Sequence, residues 1–421
     1  MRYALIIAVA LVFAPVLMAI LKIMGNIRSL KRYEKQGLKT FLYPLLGVGG
    51  MISTKHAENK VKGSTAFVKS VMLKDPDAPG FAVNNFQNDK AMVIFSKVEY
   101  IKDFLLKEDK FEKVALEVTT APLMGILLKN GAAAMHERSI LNELFHYDAL
   151  AGFVPEICSI THELLINFNK INGVNGDSYT KVNIDLLVKP IFEQMLNILV
   201  FCDRKVGNIE NGLSPYVSIC DWFFTLPLLR AHPLYNLMPW VCQNFNILES
   251  SRKIWRANDY MLKFITRMYN ERWSKADLGS SVLDNCIRHN KKCQKSGNTK
   301  DMLSMQDIVG NVNIFVFAGT DTSQNTTELS LCRMAEIPDM IKLLQTASDR
   351  VYDEGTWVTS SARLEGDLFL SLWLKEALRM NTAPVRSLAR QALEDVTIKD
   401  IKIQKGDIVC ADLQNIIYYI F

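Results

Sequence analysis

The hydrophobic pattern along the chain begins with an uncharged run of nineteen residues, YALIIAVALVFAPVLMAIL, Tyr3 to Leu21. As a helix it is long enough to cross a hydrocarbon core of about 30 Å. Pro15 is compatible with such a helix, because surrounding groups re-satisfy the freed backbone in a membrane span. The run passes directly into KIMGNIRSLKRYEKQG, where Lys22, Arg28, Lys31, Arg32 and Lys35 outnumber the single Arg2 on the other flank. The positive-inside rule then leaves the rest of the chain on the cytosolic side. TFLYPLLGVGG follows, with Pro44, Gly47, Gly49 and Gly50 marking a hinge. This pattern predicts a membrane anchor over residues 1–24, a basic and Pro/Gly linker over 25–50, and one body over 51–421.

Within the body the period alternates between that of strands and that of helices. Lys90 to Phe95, KAMVIF, predicts a short strand, and VEYIKDFLLKE behind it predicts a helix. From about Ala132 to Glu271 the helical period dominates, as in NIDLLVKPIFEQMLNILVF and ESSRKIWRANDYMLKFITRMYNER. Between these two lies DWFFTLPLLRAHPLYNLMPW, which reads either as a buried loop or as a second membrane contact or channel wall. Ser304, with Asp307 three residues on, opens a long helix that should run to about Glu336, before Pro338. VTIKD and IKIQKGDIV predict late strands separated by a turn. The fold class expected is mainly α with a small β part, behind an N-terminal transmembrane helix.

Composition narrows the classes. Hydrophobic residues make up 49% and charged residues 22%, which suits a folded body and excludes a disordered chain or a polytopic membrane protein. A net charge of +5 spread along the chain leaves no footprint for nucleic acid. Eight cysteines without a disulfide framework suit a reducing compartment. Cys286, His289 and Cys293 lie in DNCIRHNKKCQKSGNTKD, which lacks a fourth ligand at zinc-site spacing and reads as a solvated loop.

The middle of the long predicted helix holds the candidate chemistry. In FVFAGTDTSQNTTELS, Gly319, Thr320, Asp321, Thr322 and Ser323 each cost helix stability relative to alanine. Thr322 can turn its hydroxyl onto the carbonyl of Ala318, loosening the helix there. Gly319 would let a flat ligand or a diatomic molecule approach the backbone. Asp321 would supply a proton beside it, so the row suits proton delivery to a bound oxidant. A helix kink with its polar groups satisfied by neighbours explains the same spacing.

AGTDTS, Ala318 to Ser323, resembles the central helix motif of the cytochrome P450 family, and KEALR downstream places Glu376 and Arg379 as in that family's ExxR motif. VRSLARQALEDVTIKDIKIQKGDIV resembles the β region that follows ExxR, with Arg390 where an arginine meets a haem propionate. GAAAMHERSILNELFHYDAL is similar to the helix bearing a WxxxR motif, with Arg138 as its arginine and Ala134 in place of the tryptophan. The resemblance implies a P450-like fold and a haem-dependent monooxygenase, an oxidoreductase that inserts one oxygen atom from O2 into a small lipophilic substrate. It also implies an electron-donating reductase as partner and an endoplasmic reticulum membrane location. By the same resemblance Asp321 and Thr322 are catalytic, while Arg138, Arg390, Ala318 and Gly319 contact the haem. Glu376 and Arg379 hold the fold.

The resemblance further implies a haem-ligating cysteine in a loop of pattern FxxGxxxC beyond ExxR. Gly406 and Cys410 have part of that spacing, but Ile403 replaces the aromatic residue, and the same residues read better as the family's lysine–glycine turn. The fold is therefore expected to be incomplete at the C-terminus, and the chain as written to be inactive for want of its thiolate. The alternative is a haemless, membrane-anchored binding or interaction protein on the same scaffold.

Overall fold

The computed structural model describes residues 17, 20, 21, 23–41, 77–84, 90–114, 125–172, 183–204, 206, 214–220, 225, 241, 242, 245, 247–351, 366–380 and 387–413, without the side chains of Asn84, Ile171, Asn172 and Asp321. The chain forms two compact units. The first comprises Met1–Thr119, Asp221–Arg256 and Pro384–Phe421, and the second Thr120–Cys220 and Ala257–Ala383. Most of the predicted anchor, residues 42–50 of the hinge and all of the aromatic connection but Thr225 lie outside the described residues.

The first unit is built on a sheet. Its strands are β1 (Lys39–Phe41), β2 (Gly80–Asn84), β3 (Ala91–Phe95), β4 (Phe111–Lys113), β5 (Arg390–Ala392) and β8 (Ile408–Ala411), in the order β1-β2-β3-β8-β5-β4. β6 (Val396–Ile398) and β7 (Ile401–Ile403) make a separate antiparallel ribbon. β3 and β8 run parallel at the centre, with Ile94 opposite Cys410. Both are buried nearly throughout, which is why they read as apolar runs rather than alternations. α1 (Val98–Leu106) buries Ile101 and Phe104 against this sheet's core, which Phe95, Phe111, Ile398, Ile401 and Val409 also line. Gly406, at φ +82°, takes the left-handed conformation between β7 and β8.

The basic segment expected to be a linker is folded. Residues 23–34 are helical and Lys39–Phe41 form β1, parallel to β2. Leu30, Tyr33 and Leu38 are buried in the core of this unit, so an apolar face lay hidden among the basic residues. Asp407, fully buried, accepts from Tyr33 Oη at 2.5 Å and from Gln404 N at 2.9 Å, and it pairs with Arg32.

The second unit is helical among the described residues. It contains α2 (Gly131–Leu141), α3 (Tyr147–Ala151), α4 (Val154–Asn172), α5 (Ile184–Phe201), most of α6 (Glu249–Trp273), α7 (Val282–Ser296), α8 (Met305–Glu336), α9 (Pro338–Val351) and α10 (Leu368–Met380). α8 is flanked by α5, α7, α9 and α10. Its start is a full capping box: Ser304 Oγ accepts from Asp307 N, and the Asp307 carboxylate accepts from Ser304 N at 3.0 Å. The stretch Tyr147–Lys170 is long and apolar enough to cross a membrane by length and composition alone, and α4 within it packs along α5.

The segment around Cys286, His289 and Cys293 is not a solvated loop but α7. Ser281 caps it, and Val282, Leu283, Cys286, Ile287 and Cys293 form one buried face. Cys286 and Cys293, placed in a loop by that reading, are buried core residues of the helix. A few residues away, Arg272 at the end of α6 pairs with the fully buried Asp284 of α7 and donates to Cys202 O at 3.3 Å. Arg272→Ala leaves that carboxylate buried without its cation, so stability should fall by about 3–5 kcal/mol. The urea unfolding midpoint of the variant checks this.

Candidate functional site

The polar row in α8 is a ladder of side-chain hydroxyls bonded to carbonyls four residues back. Thr320 Oγ1 donates to Val316 O at 2.6 Å, Thr322 Oγ1 to Ala318 O at 2.7 Å, Thr326 Oγ1 to Thr322 O at 2.8 Å, and Ser330 Oγ to Thr326 O at 2.5 Å. Such bonds satisfy the hydroxyls inside a long helix and bend it slightly. The Thr322 bond is the one the spacing suggested. Thr326 and Ser330 extend the same stripe, and their four-residue spacing carries that signal in the sequence. Ala318 is exposed and Thr322 half-buried, so this face of α8 is open at its centre. Asp321 lies on the helix, but its side chain falls outside the described atoms.

Gly319 faces elsewhere. A Cβ placed on it would stand 2.6 Å from Leu196 Cδ2 of α5, so here the glycine accommodates a neighbouring helix rather than an approaching ligand. Beyond it, Gln324 donates to Asp185 Oδ1 of α5 at 2.9 Å and to Glu328 Oε1 at 2.8 Å, continuing the same contact as a polar clasp.

Glu376 and Arg379 form a two-pronged pair on α10, with Nε and Nη2 of the guanidinium each 2.6 Å from a carboxylate oxygen. The Arg379 hydrogen bond holds the Glu376 carboxyl below its usual range. Both side chains reach solvent, at 49% and 26% exposure, so the pair itself adds little to stability.

The two candidate propionate arginines differ in state. Arg138 is exposed on α2, and its side chain has no ion-pair or hydrogen-bond partner among the described residues. Arg390, at the start of β5 in the other unit, donates to Glu108 Oε1 at 2.8 Å. Cys410 lies in β8, 2% exposed, packed with Phe81, Val83 and Ile94.

Sequence reasoning missed the node behind Arg138. The neighbouring Glu137 is buried, pairs with Lys129 and accepts from Asn311 Nδ2 at 3.2 Å. Lys129 also pairs with Asp307, and Asn311 Oδ1 accepts from Ile126 N at 2.9 Å. These bonds tie the start of α8 to α2. Burial acts against the Asp307 carboxylate, but the hydrogen bonds from Lys129 and Ser304 outweigh it and hold the carboxyl below its usual range.

Among the described residues, no group of three or more His, Cys, Asp or Glu side chains is arranged to hold a metal ion. A flat, anionic organic group is a different matter. Among the described residues, the centre of α8 presents the small side chains of exposed Ala318 and half-buried Thr322, and the Arg138 guanidinium has no partner. Both features fit haem, which presents a flat ring and two carboxylates.

The cytochrome P450 family profile matches residues 66–418, and the chain belongs to that family. It is 20% identical over 331 residues to cytochrome P450 72A68 of Medicago truncatula, covering 75% of this chain and 59% of that protein. To the human ultra-long-chain fatty acid omega-hydroxylase it is 23% identical over 310 residues, 68% of this chain and 54% of the other. To the human mitochondrial cholesterol side-chain cleavage enzyme it is 24% identical over 306 residues, with the same coverage of 68% and 54%. The chain thus matches little more than half the length of these relatives. The haem domain of a cytochrome P450DA mutant shares the fold at a TM-score of 0.68 and 16% identity, covering 84% of this chain and 74% of that one. The family and fold imply haem as cofactor.

Two outcomes follow from the packing and the charges. Gly319→Val should lower stability by about 1–3 kcal/mol through overpacking against Leu196, and Leu196→Val in the same chain should recover part of the loss in chemical denaturation. The lowered pKa of Asp307 gives stability that is present above the ordinary carboxylate range and lost as pH falls through its depressed value. The drop in unfolding midpoint between neutral and acid pH should accordingly be smaller in Asp307→Asn than in the natural protein.

Proposed function

We propose that this chain provides the oxygen-activating framework of a haem-dependent monooxygenase acting on a small lipophilic substrate. The observation that carries the reading is the Thr322 hydroxyl, held on the Ala318 carbonyl at the open centre of α8. When bound, haem would supply an iron centre able to cleave dioxygen and insert one of its atoms into the substrate. Thr322 would then hold a proton at Oγ1 beside the ring and release it by letting go of Ala318 O. Asp321, the preceding residue, would refill that proton.

Ala318 would form the floor against which the ring lies, while Gly319, turned toward Leu196 of α5, would hold the helix that carries it. Arg138 and Arg390 would grip the propionates through charge-assisted hydrogen bonds. Glu376 and Arg379 would keep α10 in register as the wall next to α8. A lipophilic substrate accords with the relatives named for a fatty acid and for cholesterol. Electrons would come from a reductase. Tyr3 to Leu21 would anchor the chain in the endoplasmic reticulum membrane with the body on the cytosolic side.

Two variants of the native, haem-loaded protein test these roles. Thr322→Ala should divert electrons from product to hydrogen peroxide, raising the peroxide formed per electron consumed about tenfold; an unchanged ratio would remove the role assigned to Thr322. Arg138→Ala should weaken haem affinity several-fold in an absorbance titration with hemin, and equal affinity would show that Arg138 does not meet a propionate.

A further inference from the structure

The N-terminal helix has two faces that do different work. Asn26, Ser29, Leu30 and Tyr33 point into the first unit and are buried. On the opposite side Leu17, Ile20, Leu21 and Met24 are exposed by 44–58%, followed on the same stripe by the exposed Arg28, Lys31 and Lys35. Steps of three and four residues place Leu17, Ile20, Leu21, Met24, Arg28 and Lys31 on one face of a helix, and Lys35 follows in the turn at its end. The stripe is apolar toward the N-terminus and basic toward the body, the order in which a chain leaves hydrocarbon and meets lipid headgroups.

The buried face is fastened by a polar clasp rather than by apolar contact alone. Asp407 takes Arg32 and Tyr33 Oη from the helix end, together with its own turn's Gln404 N. Arg32 also donates to Gln404 Oε1 and, at 3.4 Å, to Ser29 Oγ, which accepts from Ala91 N of β3 at 3.1 Å. One turn further, Gln36 exchanges two hydrogen bonds with the Lys402 backbone of β7, at 2.7 and 3.3 Å. The helix is thereby bonded to β3, to β7 and to the turn between β7 and β8.

We propose that Asp407, clasped by Arg32 and Tyr33, is a latch that fixes the N-terminal helix on the first unit, so that its apolar and basic stripe meets an anionic lipid bilayer with that unit in a single orientation. The partner is a phospholipid surface bearing net negative charge, matched by the basic half of the stripe, while the apolar half enters the acyl boundary. The inference rests on the membrane reading above. It adds that the first unit does not swing freely on the membrane helix, because a buried carboxylate sets the angle between them.

The experiment uses the full chain on vesicles of phosphatidylcholine with phosphatidylserine. A donor dye is attached through a bioorthogonal handle at the exposed position 102 of α1, and an acceptor is carried on the lipid headgroups. The natural protein should give one narrow donor–acceptor distance distribution. Asp407→Asn should leave the vesicle-bound fraction unchanged and widen the distribution about twofold. Tyr33→Phe, which keeps the ring in the core, should widen it less. Arg28→Glu with Lys31→Glu should shift the distance on anionic vesicles but not on pure phosphatidylcholine. A natural protein that does not bind vesicles would overturn the membrane reading and the latch together. Binding with a broad distribution, or with one unchanged in both Asp407→Asn and Tyr33→Phe, would overturn the latch alone.

Discussion

The second unit depends on how a 32-residue helix carries a polar middle without coming apart. Each hydroxyl of Thr320, Thr322, Thr326 and Ser330 is satisfied inside the helix, by the carbonyl one turn earlier, so none needs a partner from a neighbouring element. This frees the sides of α8 for two other uses. Gly319 and Gln324 bring it against α5, while the Ala318 and Thr322 face remains open. The start of the helix is fixed twice, by the Ser304–Asp307 capping box and by the ties of Asp307 and Asn311 to Lys129 and Glu137. A bent, polar helix is tolerable in a core when its ends are pinned and its own backbone absorbs the polarity.

Much of this was legible in the sequence, for local reasons. Ser304, Asp307 and Pro338 bracket α8 because caps and breakers act over three or four residues. The strands AMVIF and IKI emerge from short apolar and β-branched runs, and the helix VEYIKDFLL from its period. The ladder bond of Thr322 to Ala318 is also local, being four residues long. What depends on contacts distant in sequence stayed hidden. The stretch DNCIRHNKKCQKS looked like a loop because lysines and asparagines dominate its composition, although Val282, Cys286, Ile287, Asn290 and Cys293 follow the helical period and are buried. The basic segment before Leu38 looked like a tether for the same reason. Its charges are on the surface, and what folds it is Tyr33 and Leu30 meeting a sheet core, with Tyr33 bonded to Asp407 374 residues away.

The candidate site divides along the same line. Thr322 and the Glu376–Arg379 pair could be found because each is a motif within one helix. The environment of each arginine could not. Nothing near Arg138 announces that its neighbour Glu137 is buried on Lys129 and Asn311, and only tertiary structure reveals that Gly319 serves helix packing. A glycine in a motif shows that a side chain is excluded there, and leaves open which neighbour excludes it.

The contact between Arg390 and Glu108 has a consequence for how an anionic ligand would enter. A guanidinium already engaged with one carboxylate can pass to another by simple exchange, with the number of ionic hydrogen bonds conserved. The displaced Glu108, 62% exposed, returns to water at little cost. Such a position is charge-balanced both before and after a guest arrives, so loading would proceed as a handover between acids rather than as the filling of a bare positive hole.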